Sequence, residues 1–158
     1  MKNSGFKILA LAAIVAAMPG ASSAAQSDSA SREYNVWYQS SGVMYDLTQT
    51  ADSEPVLVSI FGIGTDDANL VVSQSVPGDC ETPAGNATLL VDDKPLNTHY
   101  TCFETDKRKK EHFLLSDSRE VNSIARKLSQ DRTVIINGDI KLWAANFNHP
   151  RYGVTPKM

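Results

Sequence analysis

The chain has few cysteines, few histidines and no second long apolar run, and each shortage removes a class of protein. Of its 158 residues only two are Cys and three are His. Two thiols without CxxC spacing make a poor zinc site. No GxSxG, HExxH, phosphate-binding loop or GxGxxG occurs. Gly62-Ile63-Gly64 opens like a dinucleotide fingerprint, but no third glycine or helix follows, so it reads as a turn. A membrane-crossing helix needs about 20 apolar residues, and no stretch after residue 18 approaches that. No internal repeat is present. No metal or cofactor is implied, and the sequence expects a protein that is neither an enzyme nor integral to a membrane.

What is present begins with an export signal. Lys2 and Lys7 precede the apolar run Ile8–Met18, Pro19-Gly20 breaks it, and Ala21-Ser22-Ser23-Ala24-Ala25 supplies small residues. Basic start, short apolar centre and small-residue cut site are the parts of a secretory signal. Cleavage is expected after Ala24 or Ala25, giving a periplasmic or secreted product, and the Ala-rich style is bacterial. No Cys lies at the cut, which argues against a lipid anchor. Asn86-Ala87-Thr88 matches a glycosylation acceptor that a bacterial host would ignore. Removing residues 1–25 leaves about 133 residues, enough for one domain. Losing Lys2 and Lys7 with no acidic residue takes the formal charge from −3 to −5. That balance gives no general attraction to nucleic acid or anionic membranes. In an exported chain, the even pair Cys80 and Cys102 is expected to form a disulfide.

Residues 26–32 read as a flexible leader, 33–147 as a single β-rich domain and 148–158 as a loose tail. Strand candidates are 33–38, 43–48, 56–61, 69–74, 88–91, 98–103, 111–115, 133–136 and 140–145, each apolar, aromatic or β-branched and bounded by turn residues. Asp92-Asp93-Lys94-Pro95 and Asn137-Gly138-Asp139 read as hairpin turns. One helix is expected, capped by Asp117 with Glu120 three residues on. Val121, Ile124, Ala125 and Leu128 form its apolar stripe, and Arg126 and Lys127 lie near its end. The fold class is mainly β: a small antiparallel sandwich or barrel-like domain with one amphipathic helix and one disulfide.

Three groups are candidates for function. Lys107-Arg108-Lys109-Lys110 could meet an anionic partner, although a run this short reads first as a solvated hairpin tip flanked by Glu104, Asp106 and Glu111. Trp143, Phe147 and Tyr152, with Trp37, Tyr38 and Tyr45 near the other end, would form a recognition surface if exposed and core if buried. His99 and His112 could join Asp92, Asp93 or Glu111 in a metal or acid–base site if their strands pair, while His149 stands in the tail. Asp66-Asp67 and Asp92-Asp93 lack the spaced oxygens of a calcium loop. The order of elements is similar in layout, over the last two thirds, to small periplasmic proteins of the invasion-associated locus B type: strands, a cysteine, a hairpin ending in Tyr100-Thr101-Cys102, a helix, then a strand ending in Ala144-Ala145-Asn146-Phe147. The likeness carries over no site residue. The reading is therefore an exported, non-enzymatic binding or accessory protein. Its partner would be a protein of the cell envelope or of a host, as for an accessory of a secretion or transfer apparatus or an inhibitor of an envelope enzyme. A small hydrolase using the His/acid group and a lipid- or glycan-binding module are the alternatives.

Overall fold

Strict alternation of side chains builds one face of a sheet into a core. In the computed structural model, which describes residues 33–105 and 107–152, Val56, Val58 and Ile60 of β3 (Pro55–Phe61) are buried and point inward. Leu57, Ser59 and Phe61 point out. The same rule places Leu70 and Val72 of β4 (Asn69–Pro77) and Leu115 of β7 (Arg108–Leu115) on the inner side. With β1 (Trp37–Ser40), β2 (Val43–Gln49), β5 (Ala84–Val91), β6 (Lys94–Thr105), β8 (Val134–Ile136), β9 (Ile140–Leu142) and β10 (Arg151–Tyr152), the described residues hold ten strands. They form a single sheet in the order β10-β1-β2-β3-β4-β7-β6-β5-β8-β9. The fold is mainly β and barrel-like, a curled sheet rather than two stacked ones. The expected signal and leader (1–32) and residues 153–158 lie outside the described residues.

Helix α1 (Ser118–Ser129) fills the concave side. The Asp117 carboxylate accepts hydrogen bonds from the Arg119 and Glu120 N–H groups at its start. Val121, Ile124, Ala125 and Leu128 are buried against Leu70, Val72, Val134 and Ile136. Three hairpins turn through consecutive residues of positive φ, two of them two-residue turns matched to the strand twist and the third carrying one further residue, Asp139, before its partner strand. These are Ser41-Gly42 between β1 and β2, Asp92-Asp93 between β5 and β6, and Asn137-Gly138 between β8 and β9.

The two ends of the sheet meet without a strand ladder. The Trp37 indole N–H donates to the Trp143 carbonyl (2.8 Å), and the Trp37 backbone N–H donates to Asn146 Oδ1 (2.8 Å). Asn146 Nδ2 returns a bond to the Trp37 carbonyl (2.9 Å), and Thr48 Oγ1 donates to the Lys141 carbonyl (2.9 Å). Phe147 packs edge-on against the Trp37 ring with centroids 4.9 Å apart. These contacts clasp β1 and β2 to β9 and the segment after it.

Several strands exceed their expected lengths. Strand β5 begins at Ala84 and β6 runs to Thr105. Strand β7 starts at Arg108, so most of the basic run is strand rather than tip. Arg151-Tyr152, within the stretch expected to be loose, pair in parallel with Tyr38-Gln39.

One buried group opposes this packing. Asp46 is 0 % exposed on β2, paired in register with Trp37 and Val58. Neither carboxylate oxygen has a hydrogen-bond partner among the described residues. Burial pushes its pKa from 3.8 up to about 7, while the nearby Val36 N–H pulls the other way without reaching hydrogen-bond geometry. The folded chain thus holds a proton that the unfolded chain releases between pH 3.8 and about 7, so this group's contribution to stability falls as pH rises through that window. A shift of about 3 units corresponds to about 4 kcal/mol. Asp46→Asn has no charge to bury, so its stability relative to the wild type should rise by about 4 kcal/mol between pH 4 and pH 8. Urea unfolding at both pH values checks this, and a pH-independent difference would refute it.

Candidate interaction surfaces

Strands β4, β7 and β6 extend past the core as a three-stranded tongue, and its inner face is polar. Glu111, almost wholly buried, accepts hydrogen bonds from Gln74 Nε2 (2.8 Å) and Tyr100 Oη (2.9 Å), and its carboxylate pairs with Lys109 Nζ at 2.9 Å. Adjacent strands deliver all four groups, because Gln74 lies opposite Glu111 and Cys102 lies opposite it on the other side. Burial raises the Glu111 pKa, but Lys109, Gln74 and Tyr100 outweigh it and leave it lowered. Burial, then the bond to Glu111, raises the Tyr100 phenol. The Cys80–Cys102 disulfide, with Cα atoms 5.9 Å apart, ties the segment before β5 to this tongue. Closing a loop of that size stabilises by about 3 kcal/mol in the chain-entropy account.

The four basic residues do not act as a block. Lys107 sits exposed in the turn at positive φ. Arg108 donates to Ser75 Oγ (3.2 Å), the Ser75 carbonyl and Glu54 (2.6 Å). Lys109 is held by Glu111, and Lys110 is half-buried on the outer face. Glu54 lies far off in sequence and belongs to the loop before β3, so no local charge pattern announces that pair.

The aromatic candidates separate. Trp143 is 46 % exposed, with Lys141 Nζ 6.0 Å from its ring centroid, and Tyr152 is 77 % exposed. Phe147 is 7 % exposed and belongs to the clasp with buried Trp37, so it is core and not part of a recognition surface. Phe61, Ile63 and Phe103 are also exposed, and the sequence reading did not single them out. Their alternation with buried neighbours is the signal that would have found Phe61 and Phe103.

The histidines and acids are not assembled into one site. His112 and Glu111 are consecutive on β7 and face opposite sides of the sheet. His112 Nδ1 lies 2.7 Å from Ser73 Oγ, and its ring meets Phe103 at 5.8 Å. That spacing resembles a nucleophile and base. Yet Ser73 is only 6 % exposed, and the described hydrogen bonds give His112 no carboxylate. Burial, then Lys110, lowers the His112 pKa, which favours the neutral ring. His99 is exposed on β6 beside Asn86 and Leu114. Asp92 is at the far hairpin turn, bonded by Lys127 Nζ (2.7 Å) and the Ile135 N–H (2.9 Å). No group of three or more His, Cys, Asp or Glu able to hold a metal occurs among the described residues.

Two shallow clefts flank α1, of about 320 and 330 Å³. The first lies between the β3–β4 loop and the helix, where Asn122 bridges the Gly64 N–H (2.7 Å) and the Thr65 carbonyl (2.9 Å). The second is flanked by the ion pairs Lys94–Glu120 (2.6 Å) and Lys127–Asp92 (2.7 Å). No helix of the described residues is long and apolar enough to cross a membrane.

Removing the carboxylate at the centre of the tongue should leave Tyr100, Gln74 and Lys109 without their shared acceptor. Glu111→Ala is expected to lose about 3 kcal/mol, the range for breaking a buried ionic network. Because the Glu111 pKa is lowered, its stabilisation is present above the unfolded-state value and disappears as pH falls through the folded-state value. Denaturant titrations of wild type and variant at pH 7 and pH 3 check both points: the gap should narrow at acid pH. No family model, no curated protein and no solved structure matches the chain, so the layout likeness to the locus B proteins brings no residue or role forward.

Proposed function

We propose that the chain is an exported accessory protein that works through protein contacts in the cell envelope or with a host. The observation that carries this reading is the Cys80–Cys102 disulfide, which suits an oxidising compartment. It agrees with the signal-like residues 1–25. The contact surface is assigned to the exposed aromatics Trp143 and Tyr152, residue types that dominate binding energy when they fill a partner's pocket. Arg108 and Lys109 are excluded from it because each already has an internal carboxylate.

Fractionation of producing cells tests the export step. The expected product lies outside the cytoplasm, begins at Ala25 or Gln26 by intact mass, and resists thiol alkylation until reduced. A full-length cytosolic species with two reactive thiols would overturn the reading. The contact surface has its own test, in which the envelope proteins captured by the wild type are compared with those captured by a Trp143→Ala/Tyr152→Ala double variant. Capture should fall at least tenfold, as loss of about 1.4 kcal/mol or more implies, with the unfolding midpoint unchanged.

A further inference from the structure

Strand β5 carries an open edge. It pairs with β6 along Ala84–Val91, but with β8 only at Val91, opposite Ile136. The alternation of the ladder shows which backbone groups are free. Leu90 and Asp92 turn their backbones toward β8: the Asn137 N–H donates to the Leu90 carbonyl (2.8 Å), and the Asp92 N–H donates to the Ile135 carbonyl (2.8 Å). Residues 84, 86 and 88 share that orientation, and no strand covers them among the described residues. All three are exposed. The strand, AGNATLLV, has no charge and no proline, the devices that commonly protect an edge from pairing. The terminal strands β10 and β9 are only two and three residues long, so β5 offers the long free edge of the described sheet.

We infer that β5 pairs antiparallel with β5 of a second copy about a two-fold axis at Asn86. Self-pairing is favoured because a neutral strand brings no like charges face to face, and the pattern fits itself. One register alone uses all three free residues: Ala84 opposite Thr88 of the second copy, Asn86 opposite Asn86, Thr88 opposite Ala84. Shifting by two residues would require either Leu90, whose backbone N–H and carbonyl are already bonded to Asn137, or Thr82, which lies before the strand begins at Ala84. In this register the close, non-hydrogen-bonded positions, where Cα atoms approach to about 4.5 Å, are filled by Gly85 and Ala87, the smallest side chains available. The central Asn86 amides each offer a donor and an acceptor to the other. The result is an isologous contact that joins two curled sheets into one. It stands whether or not the chain is exported.

Sedimentation equilibrium on the purified chain from about 1 to 500 μM, in the weak range expected of a small contact, reads the outcome. The wild type should show a concentration-dependent monomer–dimer equilibrium. Asn86→Lys and Asn86→Glu should each be monomeric, and an equimolar mixture should recover dimer through the opposed charges. Asn86→Pro removes an N–H that β6 does not use, so it should stay folded by circular dichroism and remain monomeric. A wild type that is monomeric throughout, or a dimer that Asn86→Pro and Asn86→Lys leave intact, would overturn the inference.

Discussion

Closing the curled sheet rests on Trp37 and the segment 143–147. A sheet of this width has two edges, and here they are brought together by side chains. The Trp37 ring supplies the apolar area, the indole and backbone N–H groups of Trp37 find acceptors more than a hundred residues away, and Asn146 imitates a neighbouring strand by offering both an acceptor and a donor. Helix α1 can then be buried on the concave side, because the wall opposite it is held in place. An amphipathic helix of twelve residues has little stability alone; its place is secured by the cavity it fills.

Asp46 and Glu111 are two buried carboxylates treated in opposite ways. Glu111 sits where three strands can each lend a donor or cation, and it is kept ionised. Asp46 sits between Trp37 and Val58, where neighbouring side chains offer it nothing, and it is driven toward its neutral form. The contrast follows from position along the strands: the tongue is rich in polar side chains, whereas the inner face of β2 meets the clasp and the apolar core.

Local chemistry was legible in the sequence. Asp117 capped the helix, its apolar stripe faced inward, Asn137-Gly138 turned as expected, and the two cysteines joined. The length of β7 was not, because Arg108-Lys109-Lys110 reads as a solvated run until Glu54 is known to pair with Arg108 and Glu111 with Lys109. Phe147 was grouped with Trp143 by proximity and aromatic character, yet the turn after β9 sends one ring to solvent and the other onto Trp37. Register and long-range closure decide such cases, and neither leaves a mark within a few residues.

The hairpin of β5 and β6 is fastened at both ends, by the Asp92-Asp93 turn and by the bond between Cys80 and Cys102. It is therefore a covalent ring. A single protease cut anywhere within it leaves one molecule rather than two fragments, and a pulling force applied at the chain's ends passes through the sulfur bridge without lengthening the hairpin.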